Sequence, residues 1–253
     1  MVYRKGAFDY YDTIFCAGPH HVAELRAIEA LESSGGIKPK QVFEHGYSRL
    51  DALRREARGR PPKVAAPDGA MHVLVAPSWG KTGIIESGIG RGLVSDLLAD
   101  GHRVTLRPHP QTIKFWAQQV DAIRADHAKN PLFSYEANVA GQESLHQSDL
   151  MIGDWSGAAL EYAFGLNKPV LFVDIPRKVN NPDYEQISLT PLEVSVREQI
   201  GKIYQPSEGK IQLRTMRFDI AKPEQFVFNL DTSDQAGARE LIALVSKVSK
   251  LAS

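Results

Sequence analysis

Three short stretches of this 253-residue chain carry side chains suited to holding a phosphate: Pro77-Ser78-Trp79-Gly80, Arg107-Pro108-His109-Pro110 and Gly153-Asp154-Trp155-Ser156-Gly157. Arg107 offers a planar fork that matches a phosphate, and His109 can donate to a phosphate oxygen or protonate a leaving group. The prolines on either side of His109 restrict its backbone, which suits a fixed position. Ser156 stands where a helix begins, near Asp154 and followed by Gly157 and two alanines. Small residues there let a ligand approach the backbone N–H groups, and the helix dipole favours an anion. Each residue also has an ordinary structural use. Ser156 or Asp154 suits a plain helix cap, and Arg-Pro-His-Pro suits a surface turn. Ser78 adds a hydroxyl. Trp79 or Trp155 suits either stacking on a base or sugar, or packing. Glu161 suits a ribose hydroxyl or a solvated helix charge. His20 and His21 follow the strand-like DTIFCAG, a place where a general base would stand.

These turns need a scaffold, and the apolar pattern supplies one. MHVLVA (71–76), 103–106, 150–152 and VLFV (170–173) read as strands, two of them apolar on both faces as buried parallel strands are. Helical spacing falls between them at about 88–98, 111–127 and 157–164, with a closing helix over 234–251 whose apolar face includes Val248. Strand–helix alternation at this pitch predicts an α/β fold with a doubly wound parallel sheet, in which ligands bind beyond the carboxyl ends of the strands. Residues 12–17 and 41–43 read as strands around a helix at 22–31. Residues 53–70, rich in Arg, Pro, Gly and Ala, read as a helix end and a linker. The expected organisation is a partial N-terminal α/β segment over 1–55, the tail end of a larger domain. A linker follows over 56–70, then a Rossmann-like domain over 71–253.

Composition narrows the function. Hydrophobic residues make up 43% and charged residues 24%, ordinary for a globular chain. Thirty basic residues balance thirty acidic ones, so any phosphate site is local and a general nucleic-acid partner is not expected. The single cysteine, Cys16, excludes an intrachain disulfide and a cysteine-built zinc site. His20 and His21 lack a carboxylate ligand pattern, so no metal site and no cofactor are expected. No run of eighteen apolar residues and no signal peptide is read, which leaves peripheral membrane attachment open. The strand–turn signatures of serine hydrolases, P-loop proteins and dinucleotide-binding proteins are missing.

With these residues in view, the chain resembles the CDP-glycerol:poly(glycerophosphate) glycerophosphotransferases, GT-B fold enzymes of teichoic-acid and capsule synthesis. Gly46-Tyr47-Ser48-Arg49-Leu50-Asp51 resembles the family's G-Y-P-R-x-D, and Ala76-Pro77-Ser78-Trp79 its A-P-T-W. Leu106-Arg107-Pro108-His109-Pro110 matches L-R-x-H-P. Ser148-Asp149, Asp154-Trp155-Ser156-Gly157 and Glu161-Tyr162-Ala163 resemble its S-D, D-Y-S-S and D-F-A, and Lys168-Pro169-Val170 matches K-P-[IV]. The resemblance implies transfer of glycerol phosphate from CDP-glycerol to the hydroxyl of a polymer or lipid-linked acceptor, with release of CMP. It implies a cytoplasmic protein or one held at the inner face of the membrane. It also implies that Arg107, His109 and Ser156 hold the donor diphosphate. The family's second serine is Gly157 here and its aspartate is Glu161. The family's base histidine lies in an H-G motif of the N-terminal domain. His45-Gly46 shares the letters but falls in the interdomain segment, so His20 or His21 is expected to substitute. Two alternatives remain: a non-catalytic or truncated nucleotide-binding module, and another GT-B enzyme such as a CMP-sialic acid transferase.

Overall fold

The computed structural model describes residues 3, 6–32, 38–64, 66, 68–179 and 181–251, with side chains to residue 246 at the C-terminal end. Ala65 and Pro67 of the expected linker, and the side chain of Val248, lie outside the described residues. In chain order the elements are β1 (Thr13–Cys16), α1 (Pro19–Glu32), β2 (Gln41–Glu44), α2 (Ser48–Arg58), β3 (His72–Val75), α3 (Ile89–Ala99), β4 (Arg103–Leu106), α4 (Pro110–Phe115) and α5 (Ala117–His127). They continue with β5 (Phe133–Tyr135), α6 (Glu143–Gln147), β6 (Leu150–Gly153), α7 (Gly157–Leu166), β7 (Val170–Val173), α8 (Leu192–Ser195), β8 (Gly201–Tyr204) and α9 (Ser233–Leu251).

The described residues fall into two units, one within Met1–Gly59, Lys178–Ser195 and Lys222–Ser253, the other within Arg60–Arg177 and Val196–Ala221. This division differs from the expected 1–55, 56–70 and 71–253. Residues 178–195 and 222–251 group with the first segment, and α2 runs on to Arg58, inside the expected linker.

In the first unit β1 and β2 pair in parallel, Thr13 opposite Gln41. Asp51 of the Gly46–Asp51 stretch explains why α9 belongs here. Its carboxylate is 3% exposed and accepts the backbone N–H groups of Asp231 (2.7 Å) and Ser233 (2.8 Å), together with the Ser233 hydroxyl. Those are donors at the start of α9 that the helix itself cannot satisfy. Arg54 on the next turn of α2 clamps Asp231 with two hydrogen bonds of 2.9 and 3.1 Å. Gly46 has φ +98°, and a Cβ there would collide with the Phe228 carbonyl, so only glycine fits.

The second unit is a six-stranded, all-parallel sheet in the order β5-β4-β3-β6-β7-β8. β6 and β7 are buried along their whole length, as their Val, Leu, Ile, Met and Phe content requires of strands covered on both faces. Val73, Val75, Val104, Leu106, Ile152 and Val173 share one apolar core with Val94, Leu97 and Ile123 from the helices. From β3 the chain winds outward through β4 and β5, returns beside β3 as β6, and winds the other way. The topological switch point therefore lies between β3 and β6. The helix expected over 111–127 divides into α4 and α5 at Trp116, whose φ of −131° leaves the helical region.

Several residues of the family-like stretches serve the opposite, amino edge of this sheet. Asp149 accepts the His72 backbone N–H at 2.7 Å and pairs with Lys63 at 2.6 Å. Ser148 bonds the hydroxyl of fully buried Tyr162 at 3.0 Å. The Lys168 ammonium donates to the carbonyls of His146 and Ser148 (2.6 Å each) and Leu145 (3.3 Å), closing the end of α6. Burial, with Lys63 nearby, lowers the Lys168 pKa to about 8.

Candidate functional site

The turns after β3, β4 and β6 stand at the carboxyl edge around the switch point. Asp154, 1% exposed, joins two of them. Its Oδ1 accepts the backbone N–H of Ser78 at 2.8 Å, tying the end of β6 to the turn after β3. The turn after β4 joins through its histidine. The His109 ring lies against the Trp79 indole, with centroids 6.0 Å apart and planes at 28°. An offset stack of this kind contributes about 0.5–1.5 kcal/mol beyond area burial.

His109 also caps α4: its Nδ1 accepts the Gln111 N–H at 3.1 Å. With that lone pair engaged, the proton of the neutral ring belongs on Nε2, which makes Nε2–H the donor. Ser156 caps α7, its Oγ accepting the Ala158 N–H at 3.2 Å. The capping use is thus real, and it leaves the hydroxyl hydrogen able to donate. Gly157 opens α7 and is exposed; a Cβ on it would meet nothing within 4 Å. The start of this helix therefore has the space that an anion needs beside backbone N–H groups.

The structure gives the remaining candidates other positions. Arg107 is 7% exposed, and its guanidinium donates to the carbonyls of Val139 (2.6 Å) and Gly141 (2.9 Å) and to the Ser144 hydroxyl (3.2 Å). The fork expected on a phosphate is directed at the 139–144 loop, because the irregular backbone there presents carbonyls that no ladder satisfies. Trp155 packs: its Nε1–H donates to Ile175 (3.0 Å), and the Arg197 guanidinium lies 4.2 Å from its ring. Arg197, 3% exposed, also pairs with Asp174 at 3.1 Å. Glu161 is half-buried on α7.

His20 lies in the first unit at the start of α1. Burial first, and His21 second, push its pKa down to about 4. A ring that resists protonation so strongly is a poor match for a general base at neutral pH, because basicity near the working pH favours proton transfer. His45 packs edge-on to Phe15, with centroids 5.6 Å apart.

One acidic residue of the rim escaped the sequence reading. Glu86 accepts the Thr112 hydroxyl at 2.6 Å and the Gly80 N–H at 3.3 Å through one carboxylate oxygen. It lies in the irregular stretch before α3, where no periodicity marks it. A cavity of about 670 Å³ lies at the amino edge, lined by Lys63, His72, Arg103 and Asp149 among others, away from the converging turns. Among the described residues no group of three or more His, Cys, Asp or Glu side chains is arranged to hold a metal ion, and no helix is long and apolar enough to cross a membrane.

Comparison with known proteins follows the same lines. A family model described as CDP-glycerol:poly(glycerophosphate) glycerophosphotransferase matches residues 21–179. No curated protein sequence matches the chain. Among solved structures, the UDP-GlcNAc 2-epimerase of Methanocaldococcus jannaschii in complex with UDP-GlcNAc and UDP is similar at a TM-score of 0.54 and 14% identity, over 92% of this chain and 61% of that one. The wall teichoic acid polymerase TagF aligns at a TM-score of 0.45 and 19% identity, over 89% of this chain and 48% of that one. The chain thus spans about three fifths of the length of the epimerase. The epimerase likeness shows the fold, an α/β architecture with parallel sheets of the GT-B type.

Proposed function

The chain belongs to the CDP-glycerol:poly(glycerophosphate) glycerophosphotransferase family, and from that premise we propose that its second unit holds a CDP-activated polyol phosphate, CDP-glycerol first among them, in the transfer of glycerol phosphate to an acceptor hydroxyl. The observation that carries this reading is the joining of turns at the switch point. Trp79 stacks on His109, Asp154 braces the Ser78 turn, and Gly157 leaves the start of α7 open. The diphosphate sits at that rim.

The chemistry follows from where charge moves. An acceptor hydroxyl oxygen attacks the β-phosphorus and yields its proton to solvent water, the bond from that phosphorus to the bridging oxygen breaks, and CMP leaves with the electron pair. Negative charge grows on the departing phosphate. His109 Nε2–H, the Ser156 hydroxyl and the backbone N–H groups opening α7 are the donors placed to meet it. Removal of one such preorganised donor typically costs about 10²–10³ in rate. Arg107 acts one step back, holding the 139–144 loop beside the turn that carries His109. The acceptor is a polymer or lipid-linked polyol phosphate, which brings the reaction to the inner face of the membrane.

The low basicity of His20 favours a second reading, in which the chain binds the nucleotide without completing transfer. One experiment separates the two. CDP binding is measured by calorimetry, and CMP release is measured by chromatography after incubation with CDP-glycerol and a poly(glycerol phosphate) acceptor. Release of CMP supports the transferase, binding without release supports the module, and absence of CDP binding refutes both.

A further inference from the structure

The stacked pair at the rim joins two side chains from different turns, so its geometry depends on how those turns are held. Something must hold the turns together. Trp79 is followed directly by Gly80, whose N–H points to Glu86 Oε1 at 3.3 Å. His109 caps α4, and Thr112, in the first turn of that helix and fully buried, donates its hydroxyl to the same Oε1 at 2.6 Å. One carboxylate oxygen therefore receives a donor from each side of the Trp79–His109 contact. The packing around the carboxylate is close, since a Cβ on Gly83 would collide with Glu86 Oε2.

We infer that Glu86 is a positioning residue of the donor site, whose carboxylate locks the Trp79 turn to the α4 start and so fixes the stacked indole and imidazole against which the donor binds. The inference rests on the reading that this rim takes the CDP-linked donor. It adds a determinant in the irregular stretch between Gly80 and α3, beyond the Ser78 and Trp79 turn. The geometry explains two sequence features together: glycine at position 83, where a side chain would displace the carboxylate, and a hydroxyl at the fully buried position 112. A short bond to a charged acceptor is among the stronger hydrogen bonds in proteins.

The test reads position and binding separately. A protonated imidazole quenches a stacked indole more than a neutral one does, so the pH-dependent part of the fluorescence that disappears in Trp79→Phe reports the Trp79–His109 stack among the three tryptophans. In Glu86→Ala this step is expected to lose at least half its amplitude, and CDP affinity to fall by at least about tenfold, the scale of a lost charge-assisted bond. Glu86→Gln keeps an acceptor oxygen for both donors and should retain the step, with affinity within about threefold of wild type. Thr112→Val should reproduce Glu86→Ala, and combining the two should add little. A folded Glu86→Ala with the wild-type fluorescence step overturns the inference. So does a Glu86→Gln protein as impaired as Glu86→Ala. If wild type fails to bind CDP, the donor reading falls, while the fluorescence step still decides whether Glu86 positions the pair.

Discussion

Replacing Asp154 with alanine should loosen the donor rim and destabilise the second unit together. The Asp154 carboxylate is 1% exposed and holds the N–H of Ser78, itself 8% exposed, at 2.8 Å. Truncation removes a hydrogen bond to a charged acceptor, which contributes about 1.5–3 kcal/mol, and leaves a buried N–H with no acceptor in its place. The two effects describe one contact, so the expected loss is about 2–3 kcal/mol rather than their sum. For a unit of roughly 150 residues a loss of 1 kcal/mol lowers the midpoint by about 2–4 °C. Thermal unfolding followed by circular dichroism should therefore fall by roughly 5–10 °C in Asp154→Ala. Asp154→Asn keeps an acceptor oxygen and should lose about half as much. Some loss is expected even so, because the Asp154 charge also favours the charged form of the buried Arg197 guanidinium. Calorimetry should show CDP affinity reduced about tenfold in the alanine variant, as the turn carrying Trp79 moves away from β6. An Asp154→Ala protein that melts within 1 °C of wild type would refute the claim that this carboxylate braces the rim.

His109→Ala should lose both its helix cap and its stack, about 2 kcal/mol of stability, and at least tenfold in CMP release. His109→Asn, whose amide oxygen can cap α4 but which has no ring to stack on Trp79, should recover about half of the stability and little of the turnover. Asp51→Ala should detach the start of α9 by stranding the N–H groups of Asp231 and Ser233; protease sensitivity or hydrogen exchange at 229–236 should rise while the second unit stays protected. His20 has a folded pKa of about 4 against an ordinary 6.5, so between those values the unfolded chain binds more protons. Its contribution is complete above pH 6.5 and is lost as the pH falls toward 4, up to about 3 kcal/mol. His20→Gln should flatten the acid side of the stability curve relative to wild type, measured by urea unfolding from pH 7 to 4; an unchanged slope would contradict the burial of this ring. Glu24, whose pKa burial and Glu193 raise to about 7, works in the opposite direction between pH 4.5 and 7 and is common to both proteins.

The strands of the second unit were readable because burial on both faces demands unbroken apolar runs, and MHVLVA and VLFV are such runs. β5 and β8 escaped because three or four residues of mixed character, FSY and GKIY, show no period. The closing helix was legible as a helix but not in its allegiance. That depends on Asp51, some 180 positions earlier, offering its carboxylate to Asp231 and Ser233. The same limit applies at the rim. Position beyond a strand end marked Ser78, Trp79, His109, Asp154 and Ser156, since topology alone brings those turns to one edge. It did not show that Arg107 would turn toward carbonyls of an irregular loop, or that Trp155 would be covered by Arg197, because those choices follow from which groups packing leaves without partners. The family-like letters also mix two kinds of residue. Ser148, Asp149, Tyr162 and Lys168 hold the amino edge together, whereas Trp79, His109 and Ser156 stand in the turns at the carboxyl edge.

The most direct measurement is a calorimetric titration of CDP into the wild-type chain and into Gly157→Val. Open space around Gly157 means the variant should fold and melt like wild type, while its side chain occupies the place beside the first N–H groups of α7. Wild type should bind CDP saturably, and the variant should bind at least about tenfold more weakly, the scale of losing one charge-assisted contact. Equal binding by the two proteins, or none by wild type, would contradict a donor site at the start of α7.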